Sequence, residues 1–296
     1  MEIRVKVFHY DVFTTTPGKG NPAGVVLNSD ALSTEQMQLI AAQTGFTETT
    51  FVSRLNESVP RFRYFSPKSE MNLCGHGTIA AWTALQEQNF NSERKQLIET
   101  KIGRLNIGEV RTPKGIQVQM QQGVAQFSPF ESDLIPVLES IGIKLEQVDK
   151  RFPIVYGSTG NWTLILPVKR LKDFLDMQPD NKQFSSVLKQ FPEASIHPIC
   201  LETYLAEADM HGRHFSATQS GTKEDPVTGT ASGVMGAYYA KYINPQSWER
   251  HIFRVEQGHE MEREGLVEVT VNYIAKNWEV MIAGVCVRTT SRILII

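Results

Sequence analysis

Three short stretches of the 296-residue chain carry side chains able to move a proton or grip an anion. In "GFTETTFV", Glu48 stands between threonines at a predicted helix-to-strand junction, with Phe46 and Phe51 close by in sequence. A carboxyl among apolar rings has its charged form disfavoured, which would raise its pKa toward the working range of a general base. An exposed strand-edge glutamate is the commoner use of such a position. In "NLCGHGTIAAW", Gly75 and Gly77 flank His76 and an almost wholly apolar run follows. In "GTKEDPVTGTASG", Asp225 precedes a second glycine-led run that begins at Gly229 and Thr230. Its carboxylate either braces the turn or faces the same cleft as Thr230.

Both glycine-led runs read as helix starts. A helix N-terminus exposes unpaired N–H groups and carries a partial positive charge, and glycines there let a ligand approach the backbone. Two such starts facing each other would cradle a carboxylate. Taken singly, either motif is more simply explained by tight packing at helix entry. The runs begin about half a chain apart, which suggests two similar lobes, each with a buried central helix.

The elements that must position these residues are short. "IRVKVFHYDVF" alternates as a strand, and a second strand starts at Gly24 after the turn "GKGNPAG". "LSTEQMQLIAAQTG" reads as an amphipathic helix capped by Ser33, with Gln36 completing a capping box and Gly45 ending it. "ETTFVS" and "RFRYFS" read as strands. After the helix from Gly75 to about Glu87, "KQLIETKIGRLNIGEV" and "GIQVQMQQG" read as antiparallel sheet. A helix-prone segment, "ESDLIPVLESIGI", is followed by a strand in "NWTLILPV", a helix in "NKQFSSVLKQF" and a strand in "ICLETYLAE". "HIFRVEQG", "GLVEVTVNY" and "WEVMIAGVCV" close the chain as strands. Many strands, few helices and short connections indicate α+β.

Several chemistries are set aside. "GHGTIA" matches a dinucleotide fingerprint, but the preceding "YFSPKSEMNL" is broken by Pro67 and does not end in a buried strand. "GKGNPAG" lacks the lysine-hydroxyl ending of a phosphate loop. Cys74 and His76 would need two more metal ligands nearby, and no second Cys/His cluster follows, so no metal is expected. His211 and His214 read as solvated or hydrogen-bonded side chains. A net charge of −2 without a dense Lys/Arg run gives no nucleic-acid footprint. The chain is 41% hydrophobic and 21% charged, so it can bury a full core. No apolar run of about 18 residues and no signal-peptide core are present, and three scattered cysteines fit a reducing compartment. A soluble cytoplasmic protein without membrane partners is expected.

The stretches "DVFTTTPGKGNPAGVVL", "GFTETTFV", "RYFSPKSEMNLCGHGT" and "GTKEDPVTGTASG" together resemble the PhzF-like family, named for a phenazine biosynthesis isomerase, within the diaminopimelate epimerase-like fold. The resemblance implies two pseudo-symmetric lobes, each a curved, mostly antiparallel sheet or barrel around a central helix, with the active site between them. The first lobe would span 1–118, with 283–296 returning to it, and the second 119–282. It implies a cofactor-independent isomerase acting by general acid/base proton transfer on a small carboxylate-bearing metabolite, and a homodimer. By motif position, Glu48 would be the proton-carrying carboxylate, with His76 and Asp225 assisting. Gly75, Gly77, Gly229 and Thr230 would line the carboxylate cradle. Related two-thiol racemases place a cysteine before each glycine helix start; here those positions hold Cys74 and Thr228, so a single-carboxylate proton shift fits better. A neutral His76 is expected, since a helix N-terminus disfavours imidazolium. The alternatives are an amino-acid epimerase using Cys74 and an inactive metabolite-binding protein of the same fold.

Overall fold

A computed structural model describes residues 2–88, 97–220, 222–245 and 250–296. The chain forms two compact units, residues 1–121 with 283–296, and residues 122–282. Lys95, Gln96 and Gly221, which begin two of the stretches quoted above, lie outside the described residues.

The first unit runs β1 (Arg4–Val12), β2 (Asn21–Val26), α1 (Thr34–Thr44), β3 (Glu48–Ser53), β4 (Arg61–Phe65), β5 (Glu70–Met71), α2 (Gly75–Glu87), β6 (Leu97–Thr100), β7 (Gly103–Thr112) and β8 (Gly115–Gln121). β1 pairs antiparallel with β2, β2 parallel with β3, and β3 antiparallel with β4. The parallel step needs a crossover, and α1 supplies it. Ser33 accepts from the Gln36 N–H, Gln36 returns the bond to the Ser33 N–H, and Gly45 ends α1 in the left-handed region.

Strand alternation sorts the sheet's two faces. Phe51 joins Val5, Val7, Val26, Met37 and Ile40 in a core beneath α1, and Thr49 Oγ1 lies 3.0 Å from Thr44 Oγ1 at that helix's end. Glu48 and Thr50 therefore project to the opposite face, where α2 packs. Every residue of α2 from His76 to Leu85 is buried, so its apolar composition is that of a central core helix.

The second unit contains β9 (Gln126–Pro129), α3 (Leu134–Ile141), β10 (Val155–Ser158), β11 (Trp162–Pro167), α4 (Phe184–Val187), β12 (Ser195–Cys200), β13 (Met210–Gly212), β14 (His214–Phe215), β15 (Glu224–Asp225), α5 (Gly229–Tyr238), β16 (Arg250–Gln257) and β17 (Gly265–Ile274). Here α5 plays the part of α2, buried from Ala231 to Tyr238 and packed on β10, β16 and β17. α3 lies on the outer side with Leu164, Leu166, Ile196 and Phe174. Both units are thus α+β with a curved, mostly antiparallel sheet about one helix. β18 (Asn277–Gly284) leads out of the second unit, and β19 (Cys286–Ile295) pairs antiparallel with β1 in the first. Among the described residues, no helix is long and apolar enough to cross a membrane.

Three elements differ from the sequence reading. "ICLETYLAE" stops being strand at Cys200, because the Tyr204 and Leu205 N–H groups donate to the Glu256 carboxylate at 2.7 and 2.8 Å rather than to a ladder. "NKQFSSVLKQF" forms only the single α-turn of α4 after a 3₁₀ turn. "WEVMIAGVCV" is broken at Val285, where Gly284 lies so close to the Phe13 ring that a Cβ would sit 2.4 Å from it, and where the Val285 carbonyl accepts from the Phe13 N–H.

Candidate functional site

In the first unit the chemistry gathers at the start of α2. Cys74 is its N-cap, in extended conformation, and its Sγ accepts from the Gly77 N–H at 3.3 Å. His76, the second helical residue, is buried beneath Glu48, the first residue of β3. Its Nε2 lies 2.9 Å from Glu48 Oε2, and only 16% of the Glu48 side chain is exposed. The carboxylate oxygen has no well-aligned hydrogen bond, so the contact is an ion pair with the ring N–H off the line of the oxygen. Glu48 is therefore not the exposed strand-edge glutamate that base rates favour.

Charge is the surprise of this pair. Burial on its own would raise the Glu48 pKa, but the His76 ring outweighs it and holds the carboxyl below its ordinary value. Burial likewise opposes the imidazolium, yet the Cys74 sulfur and Glu48 carboxylate hold His76 well above its usual range. The Cys74 thiol is itself raised by burial and so neutral near pH 7, which leaves Glu48 as the stabilising charge. A full carboxylate charge at 2.9 Å exceeds the half-charge of a helix end, so the neutral imidazole expected from the dipole gives way to an ion pair.

Glu48, Cys74 and His76 place one potential ligand atom each within 4.8 Å of one another, a third ligand the sequence reading did not foresee. Cys74 Sγ is 3.6 Å from Nδ1 and 3.8 Å from Nε2. A sulfur nearly equidistant from both nitrogens lies against the ring, not where a metal on either nitrogen's lone pair would bind it. The donor set does not fit a metal without turning the ring.

Gly77 is where the helix start meets the strand. A Cβ there would lie 2.5 Å from Thr50 Oγ1 and 3.0 Å from Cys74 Sγ, both fully packed. Gly77→Ala is expected to destabilise the protein by about 1–3 kcal/mol through overpacking. Urea unfolding checks this, and adding Thr50→Ala should recover part of the loss.

In the second unit, Asp225 lies in β15, with Glu224 on the other face of the strand. Glu224 is held by Arg213 through two bonds of 2.8 and 2.7 Å, a structural pair. The Asp225 carboxylate accepts from Thr228 Oγ1 at 2.5 Å. Thr228 is the N-cap of α5, but its hydroxyl makes no cap bond, in contrast to Cys74 at the matching place. The Thr230 carbonyl accepts from Thr159 Oγ1 at 3.1 Å. Gly229 and Thr230 open α5 as Gly75 opens α2.

Two residues escaped the sequence reading. Asn21, the first residue of β2 and wholly buried, places Nδ2 3.3 Å from His76 Nδ1. It stands inside the stretch "GKGNPAG", whose glycines and proline predict a turn and whose asparagine carries no chemical signal of its own. Gln257, also buried, donates to the Asp225 carbonyl at 2.5 Å and accepts from the Thr228 N–H at 3.2 Å, closing the turn that carries Asp225. No local signal marks it. His211 and His214 are both hydrogen-bonded. His211 lies between Glu256 and Glu260, and His214 Nδ1 faces His197 Nδ1 at 3.1 Å.

A family model described as phenazine biosynthesis-like protein matches residues 10–292. The chain belongs to that family. It is 44% identical to "Uncharacterized isomerase YfhB" of Bacillus subtilis (strain 168), over 98% of each chain. The crystal structure of a Bacillus anthracis phenazine biosynthesis protein of the PhzF family superposes with a TM-score of 0.95 at 47% identity, covering 99% of this chain and 100% of that one. A hydroxyproline epimerase from Agrobacterium vitis, at 10% identity and a TM-score of 0.63 over 99% of this chain and 91% of that one, shares the fold alone. As a member of this family the chain is an enzyme of the isomerase class.

Proposed function

We propose that this phenazine biosynthesis-like protein is a cofactor-independent isomerase that relocates a proton on a small, carboxylate-bearing metabolite, with Glu48 as the carrier. The observation that carries the reading is the buried ion pair of Glu48 with His76 at the mouth of α2. The imidazolium keeps the carboxylate in its proton-accepting form at neutral pH. A C–H bond made acidic by an adjacent carbonyl or unsaturated group gives its proton to Glu48, which returns it elsewhere on the same face. His76 assists by hydrogen bonding at Nε2. A base of lowered pKa is weak, so the substrate must weaken the ion pair when it binds, for example by drawing the imidazolium proton toward its own developing charge.

The glycine-led start of α2 at Gly75 and Gly77 and that of α5 at Gly229 and Thr230 are proposed to hold the substrate's acid group through backbone N–H donors, the Gly77 N–H exchanging its bond to Cys74 Sγ for one to the substrate. Asp225 is proposed to orient the substrate. The enzyme is taken to work as a homodimer in the cytoplasm. The free state of all three cysteines agrees with a reducing compartment. The test is incubation with unsaturated or keto acids in deuterated water. Exchange of carbon-bound hydrogen in any of them supports the reading. Tight binding with no exchange on any ligand favours a binding protein that has lost the chemistry.

An epimerase using Cys74 is the second reading, favoured by the thiol's contact with His76 at 3.6 Å. Against it, the thiol caps α2 and burial holds it protonated. Cys74→Ser keeps a capping oxygen. It is expected to leave kcat within about fivefold of wild type, whereas a thiol acid/base would lose about 10²-fold or more. Steady-state rates on a substrate found by the exchange screen decide.

A further inference from the structure

The proton transfer assigned to Glu48 and His76 gives no role to the contact of Asn21 with His76. An amide nitrogen only donates, so Nδ2 at 3.3 Å from Nδ1 suits the neutral ring, with its proton on Nε2, the atom 2.9 Å from Glu48 Oε2, while the imidazolium of the ion pair calls for the amide turned over. Resting on the reading of Glu48 and His76 as the proton-moving pair, we propose that Asn21 is a positioning residue that selects the proton-bearing nitrogen of His76 and keeps that proton on the side of the base.

The placement is rigid. Asn21 begins β2, where it pairs with Val12 of β1, and two residues on Ala23 pairs with Glu48 of β3. One two-strand step thus fixes both partners of the ring. The titratable groups facing the ring are Glu48 from β3 and Cys74 from the start of α2. Glu48 favours the imidazolium, and an amide N–H aimed at Nδ1 opposes it, because a protonated Nδ1 would meet another donor. A half-turn of the amide offers its carbonyl to the imidazolium instead. Asn21 can therefore follow His76 through a proton cycle, whereas an aspartate there could serve only the cation.

The test is a pH series of nitrogen spectra on ¹⁵N-histidine-labelled, ligand-free protein, which requires neither substrate nor turnover. In the wild type, deprotonation of His76 is expected at Nδ1, leaving Nε2 protonated. Asn21→Asp is expected to raise the midpoint by about one pH unit or more and to keep the proton on Nδ1. Asn21→Leu, which removes the donor without adding charge, is expected to populate both neutral forms. Glu48→Gln is expected to retain the Nε2-protonated form if Asn21 is the selector. The proposal is overturned if Asn21→Leu keeps the wild-type form and midpoint, or if Glu48→Gln alone abolishes the preference. Should Glu48 prove not to be the base, these spectra would stand unchanged, so the two failures are separable.

Discussion

Glu48→Gln is expected to lower the rate of carbon–hydrogen exchange by about 10²–10⁴-fold, the usual contribution of a positioned base, while the protein stays folded. The amide matches the carboxylate in shape, so packing at the mouth of α2 survives. What it loses is the lone pair basic enough to take a proton and the charge that holds His76 protonated. Because His76 already has a neutral-ring partner in Asn21, losing its counter-ion converts it to a satisfied imidazole and not to a stranded buried cation. This is why the cost falls on turnover and not on stability. The measurement pairs deuterium exchange with urea unfolding. Exchange near the wild-type rate in a folded Glu48→Gln protein would remove Glu48 from the mechanism. The His76 titration midpoint should also fall in this variant, which shows the ion pair was broken even if no substrate is in hand.

What could be read from the chain alone follows how local the determining interactions are. α1 was legible at both ends because Ser33, Gln36 and Gly45 act on neighbours within a turn. The two glycine-led helices were legible because an apolar run after such a start has few other uses. The state of Glu48 was not. Its sequence neighbours Phe46 and Phe51 suggested a raised pKa, but Phe51 packs under α1 on the other face and the Phe46 ring lies 4.5 Å from that of His9. The deciding group, His76, comes from another element. The segment after Cys200 was misread for the same reason: alternation suggested a ladder, and a side chain from β16 supplied the acceptor instead. Asn21 sat in plain view but looked like punctuation between a glycine and a proline. The grouping of Glu48 with His76 as one unit came from the family resemblance, since nothing in their spacing brings them together.

Glu256→Ala is expected to cost about 3–5 kcal/mol, because it strands buried partners. Glu256 and His211 are wholly buried, and the carboxylate takes the Tyr204 and Leu205 N–H groups as well as His211 Nδ1 at 3.1 Å. Burial alone would raise the Glu256 pKa, but His211, His259 and the two amides outweigh it and pull it to about 2. A carboxyl lowered on folding contributes its stability above its unfolded value near 4.5 and loses it as pH falls toward 2. For His211, burial opposes the charge and Glu256 and Glu260 overcome it, raising its pKa. That contribution is complete below 6.5 and is lost as pH rises through the folded value. The gap between wild type and Glu256→Ala in urea unfolding should therefore be widest between about pH 4.5 and 6.5 and narrow on both sides. Glu256→Gln, which keeps one carbonyl acceptor, should lose less. Gln257, the next residue, holds the turn of Asp225 and Thr228, so loosening β16 at Glu256 should also speed hydrogen exchange at the Thr228 amide. Unchanged protection there would show that the buried charges brace the loop after Cys200 alone, with no bearing on Asp225.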